Sequence, residues 1–465
     1  MKRFWLILLS LGLITAFSTS AMGVDVKFSG EYFAAGMYLD KLSLVKSSTS
    51  SPAESNGLST AFYYQRLRLK TDIIVAKGLI FTTRADIMDR QWGATRSAAT
   101  SATYSTATGT GVVTTVSAST VYDSAGTRAE NENIVFDWAY LTYISPIGLF
   151  QVGYMDDYVW GTVFGDRSKP NPAIKWLARW NNLTVGLGTI KETEKSYSAI
   201  NTAGASDADL NVYGAFLMYT FKFGEVGYLF RNHYIATLKP TYGVKATTYI
   251  NIPYVKVKMG PVAVEAEVNY TFGRYDWEGT QLLPMNKIDS WSAYVNAVAD
   301  FGPFYLGGTF AWLPGNDPNS DRVTGALTGG TDWNPCLILW NNERSYQAGS
   351  ITGASGSVNN TDGTTSTGMA NAWFFQGKAG VRPVDKLNIS ASVSYANAVV
   401  KPTNAWLYNA YGWEVDATAT YKITNNLSYM LGVGYLFTGD YFKGTDNGVS
   451  LHNDYLVVNK LTLTF

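Results

Sequence analysis

Charged residues recur at every second position in two neighbouring stretches. Arg66, Arg68, Lys70 and Asp72 alternate with Leu67, Leu69, Thr71 and Ile73. After Gly78, the run Thr82, Arg84, Asp86 and Arg90 opposes Leu79, Phe81, Ala85 and Ile87. In extended backbone each set shares one face. A register centred on Gly78 sets Lys70 against Asp86 and Asp72 against Arg84, neutralising two pairs, and leaves Arg66 facing Arg90. Guanidinium groups in excess of carboxylates steer anions; they supply neither a nucleophile nor a general base. Residues suited to covalent chemistry are scarce. The chain has two His, His233 and His452, and one Cys, Cys336. A hydrolase built on His233 would need a hydroxyl and an acid beside it, and the sequence places neither there, so no enzymatic activity is expected.

Composition removes other classes. Thirty-six Lys and Arg balance 36 Asp and Glu in 465 residues, which excludes the basic excess of a nucleic-acid binder. One Cys and two distant His exclude a disulfide framework and a His- or Cys-built metal centre. With 46% hydrophobic residues the chain is not disordered. The run Asp317-Pro318-Asn319-Ser320-Asp321 resembles the start of a calcium loop, but Arg322 stands where the sharp turn needs Gly. No cofactor is expected.

The elements that must carry the charged rows are strands. Residues 1–23 have the tripartite form of a secretory signal peptide: Met1-Lys2-Arg3, an apolar run from Phe4 to Phe17, then small residues around Ala21 and Gly23. Residues 24–465 alternate with period two and contain no 18-residue apolar run. Short turns (near 76–78, 145–148, 181–182, 222–224, 259–261, 301–303, 383–385 and 424–426) alternate with longer polar connections near 39–60, 93–132, 156–172, 193–208, 239–243, 276–288, 314–370, 400–410 and 440–451. Eight short turns plus two free ends on one side give nine hairpins and about 18 strands. The alternative is 16, if 173–192 is a loop. Segregation of long connections to one end, and aromatic residues such as Trp176, Trp180, Trp413 and Tyr421 near strand ends, favour a membrane barrel over a soluble sandwich. The expected fold is all-β, a transmembrane antiparallel up-and-down β-barrel.

The last strand closes on Phe465, with Tyr455, Val457, Leu461 and Leu463 on the same parity. Together with the exported start, the hairpin order, Ala139-Tyr140-Leu141 leading into 148–153, and Glu414-Val415-Asp416-Ala417 followed by 421–427, this resembles the Gram-negative outer-membrane porin superfamily. Lys460 departs from the pattern, standing where that family's C-terminal assembly signal often has Gly. The resemblance implies an outer-membrane location, contact with lipid and lipopolysaccharide, a homotrimer, and passive diffusion of small hydrophilic solutes and ions. It also implies that the third long loop folds inward. Asp156, Asp157 and Asp166 would then form the acidic side of a constriction. Arg66, Arg68, Arg84 and Arg90 would form the basic side, joined by Lys175, Arg179 and Arg231, with Lys70 and Asp86 lining the pore. Two rivals are a substrate-specific channel, for example one exporting an acidic polysaccharide, and a structural barrel holding a multihaem electron-transfer partner.

Overall fold

The computed structural model describes residues 24–49, 57–93, 102–107, 113–118, 134–195, 208–278, 286–326, 333–354, 357–358 and 368–465. The expected signal segment and most of the 93–132 connection lie outside them. Eighteen strands form the barrel wall. The first nine are β1 (Asp25–Leu39), β2 (Thr60–Ala76), β3 (Leu79–Gln91), β4 (Ile134–Ser145), β5 (Gly148–Tyr158), β6 (Arg167–Trp180), β7 (Leu183–Thr193), β8 (Leu210–Phe221) and β9 (Gly224–Ile235). The remaining nine are β10 (Val244–Met259), β11 (Val262–Trp277), β12 (Lys287–Asp300), β13 (Phe304–Leu313), β14 (Ala372–Val384), β15 (Leu387–Asn397), β16 (Ala410–Lys422), β17 (Leu427–Thr438) and β18 (Asp454–Thr464). Each pairs antiparallel with its chain neighbour, and β1 also pairs with β18 (Phe33 opposite Thr462), so the sheet is closed. Phe465 locks the seam by exchanging two backbone hydrogen bonds with Gly30. Closure is what a bilayer demands, because it leaves no strand edge with unpaired backbone groups. The 16-strand alternative fails: 173–192 forms the end of β6, a two-residue turn and β7.

Alternation sorts the side chains as anticipated. Leu187, Leu217, Leu306, Val393, Val415, Leu431 and Val433 are 41–58% exposed on the outer face. Apolar surface of that extent on a closed wall is compatible with acyl chains, not water. The inner face departs from pure polarity in one sector. On the extracellular halves of β1, β13, β14, β17 and β18, residues of inward parity are Phe33, Met37, Leu39, Leu313, Phe374, Leu436 and Leu456, all buried. They are covered from inside by the described part of loop 7 (residues 314–371), whose segment 333–354 enters the lumen and carries helix α1 (Asn342–Ala348). Ile338, Leu339 and Ile351 of this loop are at most 1% exposed. Burying side chains of that size contributes about 1.5–3 kcal/mol each.

The first hairpin corrects one expected register. Ala76 pairs with Leu79 around Lys77-Gly78, Gly78 taking φ +80°, and the pairing then shifts between Ile74 and Ala76, leaving Val75 as an extra residue. Arg68 therefore stands opposite Asp86, Lys70 opposite Arg84 and Asp72 opposite Thr82. The anticipated Lys70–Asp86 and Asp72–Arg84 pairs do not form across the strands. A second shift, where Met88 adopts φ +55°, sets Arg90 opposite Gln65 and not Arg66.

Candidate functional site: the luminal constriction

Two loops narrow the lumen. Loop 3 is shorter than expected, residues 159–166, because β6 already begins at Arg167. It runs inside the barrel to β8, β10, β11 and β12. The Trp160 indole N–H donates to the Ile252 carbonyl (3.1 Å), and its ring packs on Phe216 and Tyr254 at centroid distances of 5.1 Å. The Thr162 amide and hydroxyl donate to Glu267 Oε2 on β11 (2.7 and 3.0 Å). Gly161 (φ +67°) and Gly165 flank that carboxylate so closely that a Cβ at either would collide with it. Phe164 is fully buried, stacked on Tyr294 of β12 (5.2 Å) and edge-on to Trp333 of loop 7 (5.7 Å). The two inward loops therefore meet on one aromatic contact.

Loop 7 is fixed to the wall by polar groups on four sides. Glu414 of β16 accepts the amides of Ile338 (2.6 Å) and Leu339 (2.7 Å). Gln376 of β14 donates to the Pro335 carbonyl (2.6 Å). Glu343 of α1 accepts from Lys460 (2.9 and 3.0 Å) and Tyr64 (2.9 Å), and Gln91 donates to the Gln347 carbonyl (2.8 Å). Lys460, the departure from the family pattern at the C-terminus, thus holds the plug helix. Asn341 caps α1 by accepting the Arg344 amide (2.7 Å). The Arg344 guanidinium is fully buried, which lowers its pKa to about 10, and it donates to the Gly349 carbonyl and Ser345 hydroxyl (2.7 and 2.9 Å). It remains charged at neutral pH.

The sequence-predicted residues divide into those the fold assembles and those it separates. Arg84 is the centre of one cluster. It pairs with Asp137, approaches Asp156 (3.4 Å), donates to Ser168 (3.0 Å) and lies over the Trp138 ring (3.7 Å). A register shift in β4 between the partners of Arg84 and Ala85 presents Asp137 and Trp138 together to this one guanidinium. Arg68 forms a two-pronged pair with Asp86, both bonds 2.7 Å. Arg66 lies 3.5 Å from Glu31 and 5.1 Å from the Phe33 ring centre, and Lys70 lies 2.9 Å from Asp72. Arg231 pairs with Asp157, both buried, and Lys175 donates to the Asp156 carbonyl (2.5 Å). Asp166 ends loop 3, its amide bonded to the Thr162 carbonyl (3.0 Å). Arg179 is exposed beside the Asn181-Asn182 turn, donating to the Asn181 carbonyl (3.1 Å), far from the others. Arg90 pairs in register with Gln65, whose side chain accepts from Tyr32 and Trp92, and so leaves the arginine row.

The acids and bases therefore do not face each other across a gap: Asp156 and Asp157 sit directly on Arg84 and Arg231. Breaking the buried pair is costly because Arg231, 3% exposed, would lose its counter-charge. Asp157→Asn is expected to destabilise the barrel by about 3–5 kcal/mol. The check is the urea midpoint followed by tryptophan fluorescence. A midpoint equal to wild type would show the pair to be dispensable.

Two cavities flank loop 3. One of about 290 Å³ includes Gln151, Asp157, Lys175, Phe216 and Arg231 in its lining. The other, about 500 Å³, lies between loops 3 and 7 and the wall, and presents Asn296, Thr309, Gln376, Lys378, Ser392 and Thr418. The hydroxyl and amide groups of β12–β16 were not singled out in the sequence. They read as ordinary inward alternation until the loops enclose them. Cys336 is a free thiol and is buried, with its sulfur and the carboxylates of Glu414 and Asp416 within 4.8 Å of one another. Burial pushes the thiol well above its ordinary pKa, and both Glu414 oxygens are occupied by loop amides, so the group acts as a buried knot under the plug. His233 is buried in register between Val212 and Thr248, with Nε2 unpartnered.

No protein-family model and no curated protein matches the sequence. Among solved structures, Pseudomonas aeruginosa OccK9 (OpdG) aligns over 95% of this chain and 99% of its own, at 13% identity and a TM-score of 0.50. OccK2 (OpdF) of the same organism, solved in complex with glucuronate, aligns over 95% and 98% at 9% identity and a TM-score of 0.50. The anion-selective porin of Comamonas acidovorans aligns over 95% and 100% at 9% identity and a TM-score of 0.44. The closed wall of 18 strands with an apolar exterior and inward-folded loops is the fold of these outer-membrane channels, and this chain has that β-barrel fold.

Proposed function

We propose that the protein is a passive channel for small hydrophilic solutes and ions, without enzymatic activity. The observation that carries this reading is the polar-lined cavity between loops 3 and 7, inside a wall too wide for its own side chains to fill. Hydroxyls, amides, Lys378 and the carboxylates of Glu265 and Asp416 in the larger cavity suit small polar solutes by hydrogen bonding, without a fixed site for one of them. The charged cluster around Arg84, Arg68 and Arg231 biases ions through its summed field.

Selectivity follows from the pairing. Arg66→Gln with Arg68→Gln leaves Glu31 and Asp86 without their cations. The reversal potential in a salt gradient is expected to move toward cations, and Asp86→Asn should move it the other way. Identical reversal potentials in all three proteins would take these residues out of the ion path. Uptake is tested by liposome swelling with sugars of increasing size, where a graded size limit supports open diffusion. Swelling confined to one solute would replace it with a substrate-specific channel.

For assembly we propose a homotrimer. Gly30, Ala34 and Gly36 stand at outward positions of β1 among Val26, Phe28, Tyr32 and Tyr38, opposite Asn459 on β18 and Gln65 on β2, so small and polar residues interrupt the apolar belt there. A monomer mass for the detergent-solubilised, unheated protein would remove this proposal.

A further inference from the structure

The geometry points to a site for a single thiophilic divalent cation, of the Zn²⁺ class, that staples loop 7 to the barrel wall at Cys336, Glu414 and Asp416. Glu414 and Asp416 stand at alternate positions of β16 and both face inward, 0% and 5% exposed. Among the described residues neither forms an ion pair with a Lys or Arg. Two carboxylates enclosed side by side are unfavourable unless positive charge sits with them. The amides of Ile338 and Leu339 supply part of it, each to one Glu414 oxygen (2.6 and 2.7 Å). Each of those oxygens keeps a second lone pair. Asp416 is less well served. Its Oδ2 is 3.4 Å from the Ser392 hydroxyl, and its Oδ1 is buried yet accepts no hydrogen bond. A buried acceptor in that state costs free energy that a bound cation recovers.

The third donor comes from the loop. The Cys336 sulfur and one oxygen of each carboxylate lie within 4.8 Å of one another. Bonds of ~2.0–2.3 Å to a tetrahedral Zn²⁺ set ligand atoms about 3.5 Å apart, so closing by about 1 Å brings all three onto one ion. The backbone at Cys336 is held on both sides. Gln376 donates to the Pro335 carbonyl (2.6 Å), and Asn341 donates to the Cys336 carbonyl (3.0 Å). Cys336 and Asp416 also line the cavity of about 500 Å³ between loops 3 and 7, which gives the ion a route from the lumen and room for a water as fourth ligand. A thiolate among the donors selects Zn²⁺ or Cd²⁺ over Ca²⁺ and Mg²⁺, which take oxygen ligands. On binding, an S–metal bond replaces S–H and the proton leaves to lumen water. A single Cys rules out a centre of several Cys or His; carboxylates from β16 complete the donor set instead. The site rests on the docked position of loop 7 and not on what passes through the channel.

The probes are Zn²⁺ and Cd²⁺, added to the full chain refolded in detergent and stripped of metal by a chelator, with folding confirmed by heat-modifiable gel mobility. Equilibrium dialysis should find a single Zn²⁺ per chain, and Cd²⁺ should give the ultraviolet thiolate-to-metal absorption band. Cys336→Ser should abolish that band and weaken Zn²⁺ binding by about a hundredfold or more, and Asp416→Asn, which keeps the thiol, by about tenfold or more. Zn²⁺ should raise the unfolding temperature of wild type and leave that of Cys336→Ser unchanged. Absence of the Cd²⁺ band in wild type, or equal Zn²⁺ affinity in wild type and both variants, would overturn the site. Mg²⁺ bound as tightly as Zn²⁺ would overturn its assignment to a thiophilic ion. An equal rise in unfolding temperature in wild type and Cys336→Ser would overturn the staple. All of these readouts are made in detergent without current, so failure here and failure of the channel reading are told apart.

Discussion

Replacing residues 333–354 with a short Gly/Ser linker should at least double the single-channel conductance, by a factor of about two or more. Among the described residues of loop 7, this segment lies inside the barrel. Its Ile338, Leu339 and Ile351 are buried against the wall, and its Trp333 meets Phe164 of loop 3. The wall itself does not set the narrowest section, since 18 strands enclose more space than inward side chains occupy. Current should therefore be limited by the two loops, and removing one widens the path directly. The same deletion uncovers the apolar inner sector at Leu313, Phe374, Leu436 and Leu456, so the variant should also unfold at lower temperature. Unchanged conductance in a folded variant would mean that ions pass elsewhere and that loop 7 is packing alone.

A single substitution should produce a milder form of the same result. Glu414 accepts two buried loop amides, one on each carboxylate oxygen. In Glu414→Ala both N–H groups lose their acceptor where water enters poorly, at about 1–3 kcal/mol each. The deletion removes the plug; this substitution loosens it. Current traces should show intermittent steps to a higher level, with the resting level unchanged. Glu343→Gln is a useful comparison, since it weakens the Lys460 and Tyr64 contacts at the rim of α1, where partial exposure reduces the effect. If Glu414→Ala gives traces as quiet as wild type, the carboxylate is not what keeps the loop docked.

How far these features were legible in the sequence varies with their physical origin. Strand count and the eight tight turns follow from local signals, period-two alternation interrupted by Gly, Pro and Asn, and each turn lies where those residues put it. Register is less local. Val75 and Met88 each add one residue to a ladder, and nothing in their chemistry marks them as bulges, yet together they move Asp86 from Lys70 to Arg68 and turn Arg90 away from Arg66. The inward course of loop 3 was available only through resemblance. Its anchors, Glu267 and Tyr294, come from strands more than a hundred residues downstream, and no spacing rule joins them to Thr162 and Phe164. One sign of the plug was present. In Phe33-Ala34-Ala35-Gly36-Met37-Tyr38-Leu39 and in Tyr455-Leu456-Val457-Val458 the alternation lapses and both faces become apolar. A lumen face that is apolar must be covered from within, and among the described residues the longest loop covers it. The charged residues were found by type, but their partners were not: Asp137, which holds Arg84, owes its position to an irregularity in β4.

The central claim, a water-filled path narrowed by two inward loops, is tested most directly by single-channel recording of the refolded wild-type protein in a planar bilayer with symmetric salt. Discrete, ohmic steps of uniform size are the predicted result. A protein that inserts and shows heat-modifiable mobility, yet carries no current at any voltage, would contradict the account at its base.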